Sequence, residues 1–328
     1  MSRMATEGAA TTSRAGRSQR LRYMALGIGL VLMGLCVLLA LISPYFLTQQ
    51  NLTNVLLQSS INTIVAVGMT FVILTAGIDL GVGSVVALSG VVLGGAMKAD
   101  VPIPGALAVG LGVGALTGFI NGVLITKGGV PPFIATLGMM SVARGLALVY
   151  TKGQSLYVFP ATFLEFFGTG SLGPVPMPAL IAAATVAAAY FLLGHTRFGR
   201  YAFAIGGNLE AARLSGIRVD AVLIGVYVLA GVTYALGGAV LVGRLNSAQP
   251  IAGMGYELDA IAAAVIGGTS LSGGRGSVGG TVIGALIMGV VRNGLNLMNV
   301  SSYVQQVVIG SVIVLAVLVD RVQKAHRD

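Results

Sequence analysis

Residues 53–98 read TNVLLQSSINTIVAVGMTFVILTAGIDLGVGSVVALSGVVLGGAMK, and they form two long apolar runs separated by a turn with a single carboxylate, Asp79. A helix needs roughly 20 mostly apolar residues to cross the hydrocarbon core of a bilayer. The runs at 53–75 and 78–98 meet that requirement. The stretch therefore predicts two membrane-spanning helices joined by a very short connection.

Runs of the same kind occupy most of the remaining chain. The third span follows the second after only a Gly-Ile-Asp turn, and the eighth is short. Each of these two is either a complete span or a half-helix buried by protein, because irregular backbone is tolerated at membrane depth only inside protein. The predicted fold is an all-α integral membrane protein with about ten transmembrane helices. The predicted spans are 23–43, 53–75, 78–98, 103–126, 131–151, 176–194, 218–243, 258–271, 278–298 and 303–320.

The composition excludes an ordinary soluble domain. Of the 328 residues, 55% are hydrophobic and 9% are charged, whereas soluble domains have about 25% charged residues. The 49 glycines favour helices that pack closely in a membrane. The single cysteine, Cys36, excludes a disulfide framework within the chain, and neither His195 nor His326 has metal-ligating neighbours in the sequence. We therefore expect no metal site and no cofactor.

The distribution of Lys and Arg predicts the orientation. With ten spans, fourteen of these residues fall on the side of the N-terminus, three fall on the opposite side and two lie within spans. The positive-inside rule then places both termini and the loop 195–217 in the cytoplasm. We predict a cytoplasmic tail at 1–22, a transmembrane domain at 23–320 and a second cytoplasmic tail at 321–328. The first span is too long for the apolar region of a signal peptide, so we expect it to remain uncleaved.

The segment Gly199–Gly216, GRYAFAIGGNLEAARLSG, lies in that cytoplasmic loop. Asn208 is a suitable N-cap, Glu210 places a negative charge in the first turn and Arg213 lies near the last turn. Gly216 can end the helix in a left-handed conformation. The pattern predicts a two-turn helix. It either links two spans as an ordinary surface helix or docks on another protein.

Part of this helix resembles the EAA-x-x-x-G loop of bacterial ATP-binding-cassette (ABC) importer permeases, because Glu210-Ala211-Ala212 is followed after three residues by Gly216. In that superfamily the loop forms a coupling helix that docks on a separate ATPase subunit. The resemblance therefore implies an ATPase-coupling role for the whole capped segment, which comprises Asn208, Glu210, Ala211, Ala212, Arg213 and Gly216.

Other motifs resemble one branch of these permeases, the ribose/xylose/arabinose type. TAGIDLGVGS at 75–84 is similar to its AGIDLSVGS signature, with Gly81 where that branch usually has Ser. PPFIATLG at 131–138 with ARG at 143–145, and IGGTSLSGGRGSVGG at 266–280, are similar to two further segments. Branched-chain amino acid permeases share the GIDL-like turn, but the run at 131–145 favours the sugar branch. The resemblance covers about residues 50–320.

The resemblance implies a permease subunit, not an enzyme, in the bacterial inner membrane. It would import a pentose or hexose by alternating access, as a homodimer among membrane lipids, with an ABC ATPase subunit and a periplasmic sugar-binding protein. No Gly-Lys-Ser/Thr ending of a Walker A motif occurs in the chain, so we expect ATP hydrolysis by the partner. The alternatives are an autonomous secondary transporter and an ABC permease for a polyol or a branched-chain amino acid. Acidic residues are nearly absent from span centres, which weakens ion coupling, and we expect no nucleic-acid partner.

Six polar residues on or beside the spans are candidates for the translocation pathway. An arginine within a span faces protein, water or a partner, or it snorkels to the interface. An asparagine suits a hydroxyl-rich substrate but also forms hydrogen bonds between helices. The carboxylate at the end of the second span either caps the third span or contacts a gate. The candidates are Asp79, Asn121, Arg144, Arg292, Asn293 and Asn296.

Overall fold

The computed structural model describes residues 27–325, and this part of the chain is a bundle of helices. The tail predicted at 1–22, the first residues of the first predicted span (23–26) and residues 326–328 lie outside the described residues. The long helices are α1 (Gly27–Ile42), α2 (Gln49–Leu74), α3 (Val82–Lys98), α4 (Ile103–Thr126), α5 (Pro132–Thr151), α7 (Met177–His195), α10 (Val219–Leu245), α12 (Val278–Leu297) and α13 (Ser302–Ala325).

Shorter elements connect these helices. Helix α6 (Ala161–Leu164) continues into a π-helical turn at Glu165–Thr169, in the region between α5 and α7. Four two-residue strands form two antiparallel pairs. The remaining elements are α8 (Arg197–Gly207), α9 (Leu209–Leu214), α11 (Tyr256–Ile266), β1 (Leu156–Tyr157), β2 (Ser171–Leu172), β3 (Val175–Pro176) and β4 (Ser247–Ala248).

A helix coincides with each of the ten predicted spans, although the lengths differ. Six helices in the described part of the chain are long and apolar enough to cross a membrane: α2, α4, α5, α7, α10 and α12. The chain is therefore an all-α membrane protein. Helix α13 continues through Ala325, so the C-terminal tail predicted at 321–328 begins within a helix.

The two spans left open by the sequence are shorter than predicted. Helix α3 begins at Val82 instead of residue 78. Helix α11 has 11 residues, which corresponds to about 16 Å, or roughly half of the hydrocarbon core. It ends at Ile266 because Gly267 and Gly268 follow, and Gly268 has φ +87°, a conformation that does not continue a helix. Helix α11 is therefore a half-helix.

Irregular backbone precedes both of these helices. We call residues 75–81, between α2 and α3, the first interruption, and residues 246–255, between α10 and α11, the second interruption. Each follows a long helix of 26 or 27 residues. Two further helices follow each shorter helix, so the groups α2–α5 and α10–α13 have the same order of elements.

The packing repeats in the same way. Helix α2 packs against α10, α11 and α12, whereas α10 packs against α2, α3 and α4. The contacts of α2 with the group α10–α13 therefore correspond one by one to the contacts of α10 with the group α2–α5. Glycines make the contact between α4 and α10, since a Cβ at Gly114 would collide with the carbonyl oxygen of Gly231, and a Cβ at Gly118 would collide with that of Tyr227. Small residues thus let these two helices approach at backbone distance.

Candidate coupling segment and translocation path

The predicted two-turn helix forms at the predicted position. Helix α9 runs from Leu209 to Leu214, and the side-chain oxygen of Asn208 accepts a hydrogen bond from the backbone N–H of Ala211 at 2.9 Å. Gly216 has φ +78°, the left-handed conformation expected where a helix ends. The cap residues read from the sequence therefore fix both ends of this helix.

Helix α9 has one buried and one exposed face. Ala212 is buried in a small cluster with Ile205, Val219 and Val222. On the other face Leu214 is 90% exposed. The exposed side chains of Glu210 and Arg213 lie 3.6 Å apart, and such an exposed pair contributes little to stability. The outer face thus presents one large apolar side chain beside two charges that no strong interaction holds in place.

Asp79 does not cap α3 as an N-cap residue, because the N-cap position belongs to Gly81. The Asp79 carboxylate instead accepts a hydrogen bond from the backbone N–H of Gly81 at 2.8 Å within the first interruption. It is 4% exposed, and the hydroxyls of Tyr227 and Tyr234 on α10 lie near it. Within residues 27–325 neither hydroxyl meets the geometry of a hydrogen bond. Asp79 therefore lies two residues before the N-cap position, although its carboxylate accepts a backbone hydrogen bond just ahead of α3, as the capping interpretation requires.

Helix α5 holds the first interruption through Thr136. The Thr136 hydroxyl lies 3.2 Å from the carbonyl oxygen of Ile78, and it accepts a hydrogen bond from the N–H of Leu80 at 3.2 Å. It also lies 2.9 Å from the carbonyl oxygen of Pro132 in its own helix. One buried hydroxyl thus serves backbone groups on both sides of Asp79.

Arg144 on the same helix holds the second interruption. Its guanidinium donates hydrogen bonds to the carbonyl oxygens of Pro250 at 2.6 Å and Ala252 at 2.9 Å. Arg144 therefore faces protein and does not snorkel to the membrane surface. Thr136 and Arg144 are eight residues apart, which corresponds to about 12 Å along a helix. Helix α5 therefore holds the two interruptions at points about two turns apart.

The start of α3 meets the second interruption directly. A Cβ at Gly83, in the first turn of α3, would collide with the carbonyl oxygen of Gly253 in the second interruption. The same Cβ would lie 2.9 Å from a carboxylate oxygen of Glu257 in the first turn of α11. The starts of both shorter helices therefore lie at one crossing point in the interior of the bundle.

Arg292 forms an ion pair that the sequence did not predict. Its guanidinium contacts both carboxylate oxygens of Asp259 on α11, at 2.7 and 2.9 Å. Asp259 is 3% exposed, and the side chain of Arg292 is 30% exposed. Asp259 lies in the first turn of α11, so the expectation that acidic residues are nearly absent from span centres stands, but the sequence analysis did not name this carboxylate. The only sequence signal was an acidic residue within an apolar run, which requires a partner.

Asn293 and Asn296 form hydrogen bonds with other helices. The amides of Asn293 and Asn51 each donate to the other, at 2.7 and 3.0 Å, and join α12 to α2. The side-chain oxygen of Asn296 accepts a hydrogen bond from Gln305 on α13 at 2.8 Å. These contacts agree with the interhelical interpretation of the two asparagines. Their partners were invisible in the sequence, because Asn51 and Asn293 are 242 positions apart.

Asn121 differs from the other two asparagines. It is buried on α4, and its side-chain oxygen has no hydrogen-bond partner within residues 27–325. The adjacent Gly122 would place a Cβ 2.7 Å from the Cα of Ile224 on α10. Asn121 is therefore a buried polar group of the α4–α10 region whose hydrogen-bonding capacity is not used.

A cleft of about 490 Å³ opens elsewhere, between α2, α7 and α12. Its wall is mainly apolar, with hydroxyls from Ser59, Ser60, Thr63 and Tyr190. None of the six pathway candidates lines it. No cluster of three or more His, Cys, Asp or Glu that could hold a metal occurs among the described residues.

Comparisons with known proteins identify the family. Residues 51–317 match the family described as a branched-chain amino acid transport system permease component. The chain belongs to this family.

Named relatives cover nearly the whole chain. The ribose import permease protein of Escherichia coli strain K12 is 51% identical to it over 88% of this chain and 92% of the relative. The ribose import permease protein of Bacillus subtilis strain 168 is 50% identical over 92% and 94%. The D-allose transport system permease protein of E. coli strain K12 is 43% identical over 85% and 86%. No solved structure matches the chain significantly.

Family membership confirms the resemblance read from the motifs. The chain is a permease component of a transport system and not an enzyme. Family membership, together with the six helices long and apolar enough to span a membrane, identifies the chain as a multi-pass protein of the bacterial cytoplasmic membrane.

Proposed function

We propose that this chain is the membrane subunit of an ABC importer that carries a monosaccharide into the cytoplasm. The relatives named for ribose and D-allose support a sugar of the pentose or hexose class. The observation that carries the proposal is α9, a capped helix whose outer face exposes Leu214 beside Glu210 and Arg213. A separate ATPase subunit would bind this face, hydrolyse ATP and move α9.

The proposed arrangement in the membrane has ten crossings and cytoplasmic termini, with the eighth crossing made by the half-helix α11 together with the irregular segment that follows it. The six helices that are long and apolar enough to cross a membrane support it, as does the asymmetry of Lys and Arg. In that arrangement α2 is the second crossing and α10 is the seventh, so they run in opposite directions. The groups α2–α5 and α10–α13 would then form an inverted repeat, with one interruption open toward each side. Many transporters bind substrate where such interrupted segments meet.

The crossing point at the starts of α3 and α11 is therefore our proposed position for the pathway. Three residues remain pathway candidates. Asp79 lies in the first interruption, Arg144 binds the second interruption, and Asn121 has a side-chain oxygen without a hydrogen-bond partner among the described residues. The hydrogen bonds of Arg292, Asn293 and Asn296 instead favour a role in holding helices together. Two copies of this chain, surrounded by lipid, would form the translocating unit, and a periplasmic sugar-binding protein would deliver the substrate.

Reconstitution tests the ATPase contact. The chain would be purified with its ATPase subunit and sugar-binding protein, and ATP-dependent ribose uptake would be measured in liposomes. Glu210→Lys reverses a charge on the outer face of α9, and Gly216→Pro removes the left-handed residue that follows α9. We expect both variants to lose uptake and to retain less ATPase subunit on co-purification. Glu165→Lys, at an exposed position between α5 and α7, is the matched control. Normal uptake by both α9 variants would contradict the docking role.

The same liposomes separate the competing functions. An autonomous secondary transporter would accumulate sugar without the ATPase when an ion gradient is applied. A permease for a branched-chain amino acid would take up labelled leucine in place of ribose. We expect uptake only with the complete assembly and ATP, and we expect labelled ribose or another aldose to be the transported solute.

A further inference from the structure

Three backbone segments meet at the end of α2. They are Leu74–Ala76, which leads into the first interruption, Gly206–Gly207, which ends α8, and Gly273–Gly274, between α11 and α12. We call these residues the glycine junction. The N–H of Gly274 donates a hydrogen bond to the carbonyl oxygen of Leu74 at 2.9 Å. This bond ties the loop before α12 to the end of α2.

Helix α8 occupies the same point. A Cβ at Gly206 would collide with the carbonyl oxygen of Leu74 and would lie 2.6 Å from the N–H nitrogen of Gly274. A Cβ at Gly273 would lie 2.8 Å from the carbonyl oxygen of Gly206 and 2.9 Å from the backbone nitrogen of Ala76. The three segments thus touch through backbone atoms, without long side chains between them.

The backbone conformations make this contact specific. Gly273 and Gly274 have φ +77° and +69°, and Ala76 has φ +61°. Residues with side chains rarely adopt such values because the Cβ crowds the backbone. The junction therefore depends on an unusual local shape as well as on the absence of side chains.

A second contact joins α8 to α2. The rings of Phe198 and Phe71 lie 6.2 Å apart between centroids. Phe198 and Gly206 are eight residues apart on α8, which corresponds to about 12 Å. These two contacts therefore join α8 to the last turns of α2 along most of the length of α8. Close-packed contacts of this kind transmit displacement because little free volume can absorb it.

The junction also has a defined position along the chain. Gly207 immediately precedes Asn208, the cap of α9. Ala76 lies within the first interruption, and the loop with Gly273 and Gly274 leads to Ser277, the cap of α12. A displacement of α9 would therefore reach both halves of the bundle at one point.

We propose that the glycine junction transmits the movement of α9 to α2 with the first interruption and to the loop that begins α12. Gly206, Gly273 and Gly274 are positioning residues in this scheme, since they act through the backbone and touch no substrate. The inference rests on the proposed function, because it assumes that an ATPase moves α9.

Two adjacent glycines provide the test. Gly206→Ala places a methyl group against Leu74, whereas no described atom lies within 4 Å of a Cβ at Gly207. Each variant would be reconstituted with the ATPase subunit and binding protein, and ribose uptake and ATP hydrolysis would be measured together. We expect Gly206→Ala to retain the ATPase and hydrolyse ATP but to import about tenfold less sugar per ATP, a typical size for a coupling effect. Gly207→Ala should stay within about twofold, as expected for an unhindered substitution.

Ala76→Gly is the second variant, and it tests transmission through the glycine junction even if Gly206→Ala fails to assemble. It adds no atom, relieves the positive φ and removes the methyl group that faces Gly273. We expect normal assembly with less sugar imported per ATP. Normal coupling in Ala76→Gly and, where it assembles, in Gly206→Ala would overturn the inference.

The proposed function is tested separately in the same assay. It fails if the unaltered assembly shows no ATP-dependent uptake or if the α9 variants transport normally. The two failures are therefore distinguishable.

Discussion

The ion pair between Arg292 and Asp259 allows a stability effect to be worked from the structure. Removing one partner of a buried pair typically costs about 3–5 kcal/mol, because the other charge is left without compensation. Arg292 is 30% exposed, so partial hydration reduces the expected loss for Arg292→Met to about 2–3 kcal/mol. At about 2–4 °C per kcal/mol for a large domain, the apparent Tm should fall by about 4–12 °C.

The matched control removes both charges. Arg292→Met combined with Asp259→Leu replaces the pair by apolar side chains, which is often neutral for stability. We expect the double variant to melt close to the parent protein and above Arg292→Met. The difference between the double variant and the sum of the single variants gives the interaction energy.

The assay must suit a chain that contains no Trp. A fluorescent fusion can be heated in detergent and the remaining monodisperse peak measured by size-exclusion chromatography. Arg292→Met melting with the parent protein, or the double variant melting as low as Arg292→Met, would refute the reasoning. Sugar uptake by the double variant then separates the alternatives, since retained uptake indicates that Arg292 holds helices and does not line the pathway.

Three other contacts give further predictions. Asn51→Leu should destabilise the protein by about 1–3 kcal/mol because the amide of Asn293 loses its partner, and changing both residues to Leu should restore part of the melting temperature. Gly118→Ala should lower the melting temperature by separating α4 from α10, whereas Gly112→Ala, with no described atom within 4 Å of the new Cβ, should leave it unchanged. Thr136→Val keeps the side-chain volume but releases Ile78 and Leu80, so ATP-dependent uptake should fall while expression and membrane insertion stay normal. Unchanged uptake would argue against this hold on the first interruption.

Hydropathy was sufficient to locate the helices, because a crossing helix must be long and apolar. It was insufficient at α3 and α11, where the boundary depends on local backbone conformation. The positive φ of Gly268 decides the end of α11, and it does not change the average hydropathy of the run. Helix α3 begins only after the irregular residues 75–81, which hydropathy does not distinguish from the helix. The cap of α9 was predictable because Asn208 acts on a residue three positions away.

The partners of polar residues were not predictable for a different reason. Asn293 pairs with Asn51, and Arg144 binds carbonyl oxygens of Pro250 and Ala252, more than a hundred positions away. Such contacts depend on how the helices are arranged, which a single sequence does not specify. Asp259 was missed because a charge in an apolar segment reveals that it needs a partner but not which one.

Helix α5 fastens both interruptions through Thr136 and Arg144, yet most of its surface faces away from the bundle. Where that outer surface is in contact with acyl chains, the helix would adjust its tilt to the thickness of the surrounding hydrocarbon. A change in tilt would move its two attachment points in opposite directions about the centre of the helix. Acyl-chain length should therefore alter the rate of sugar passage in reconstituted vesicles more than it alters the rate of ATP hydrolysis.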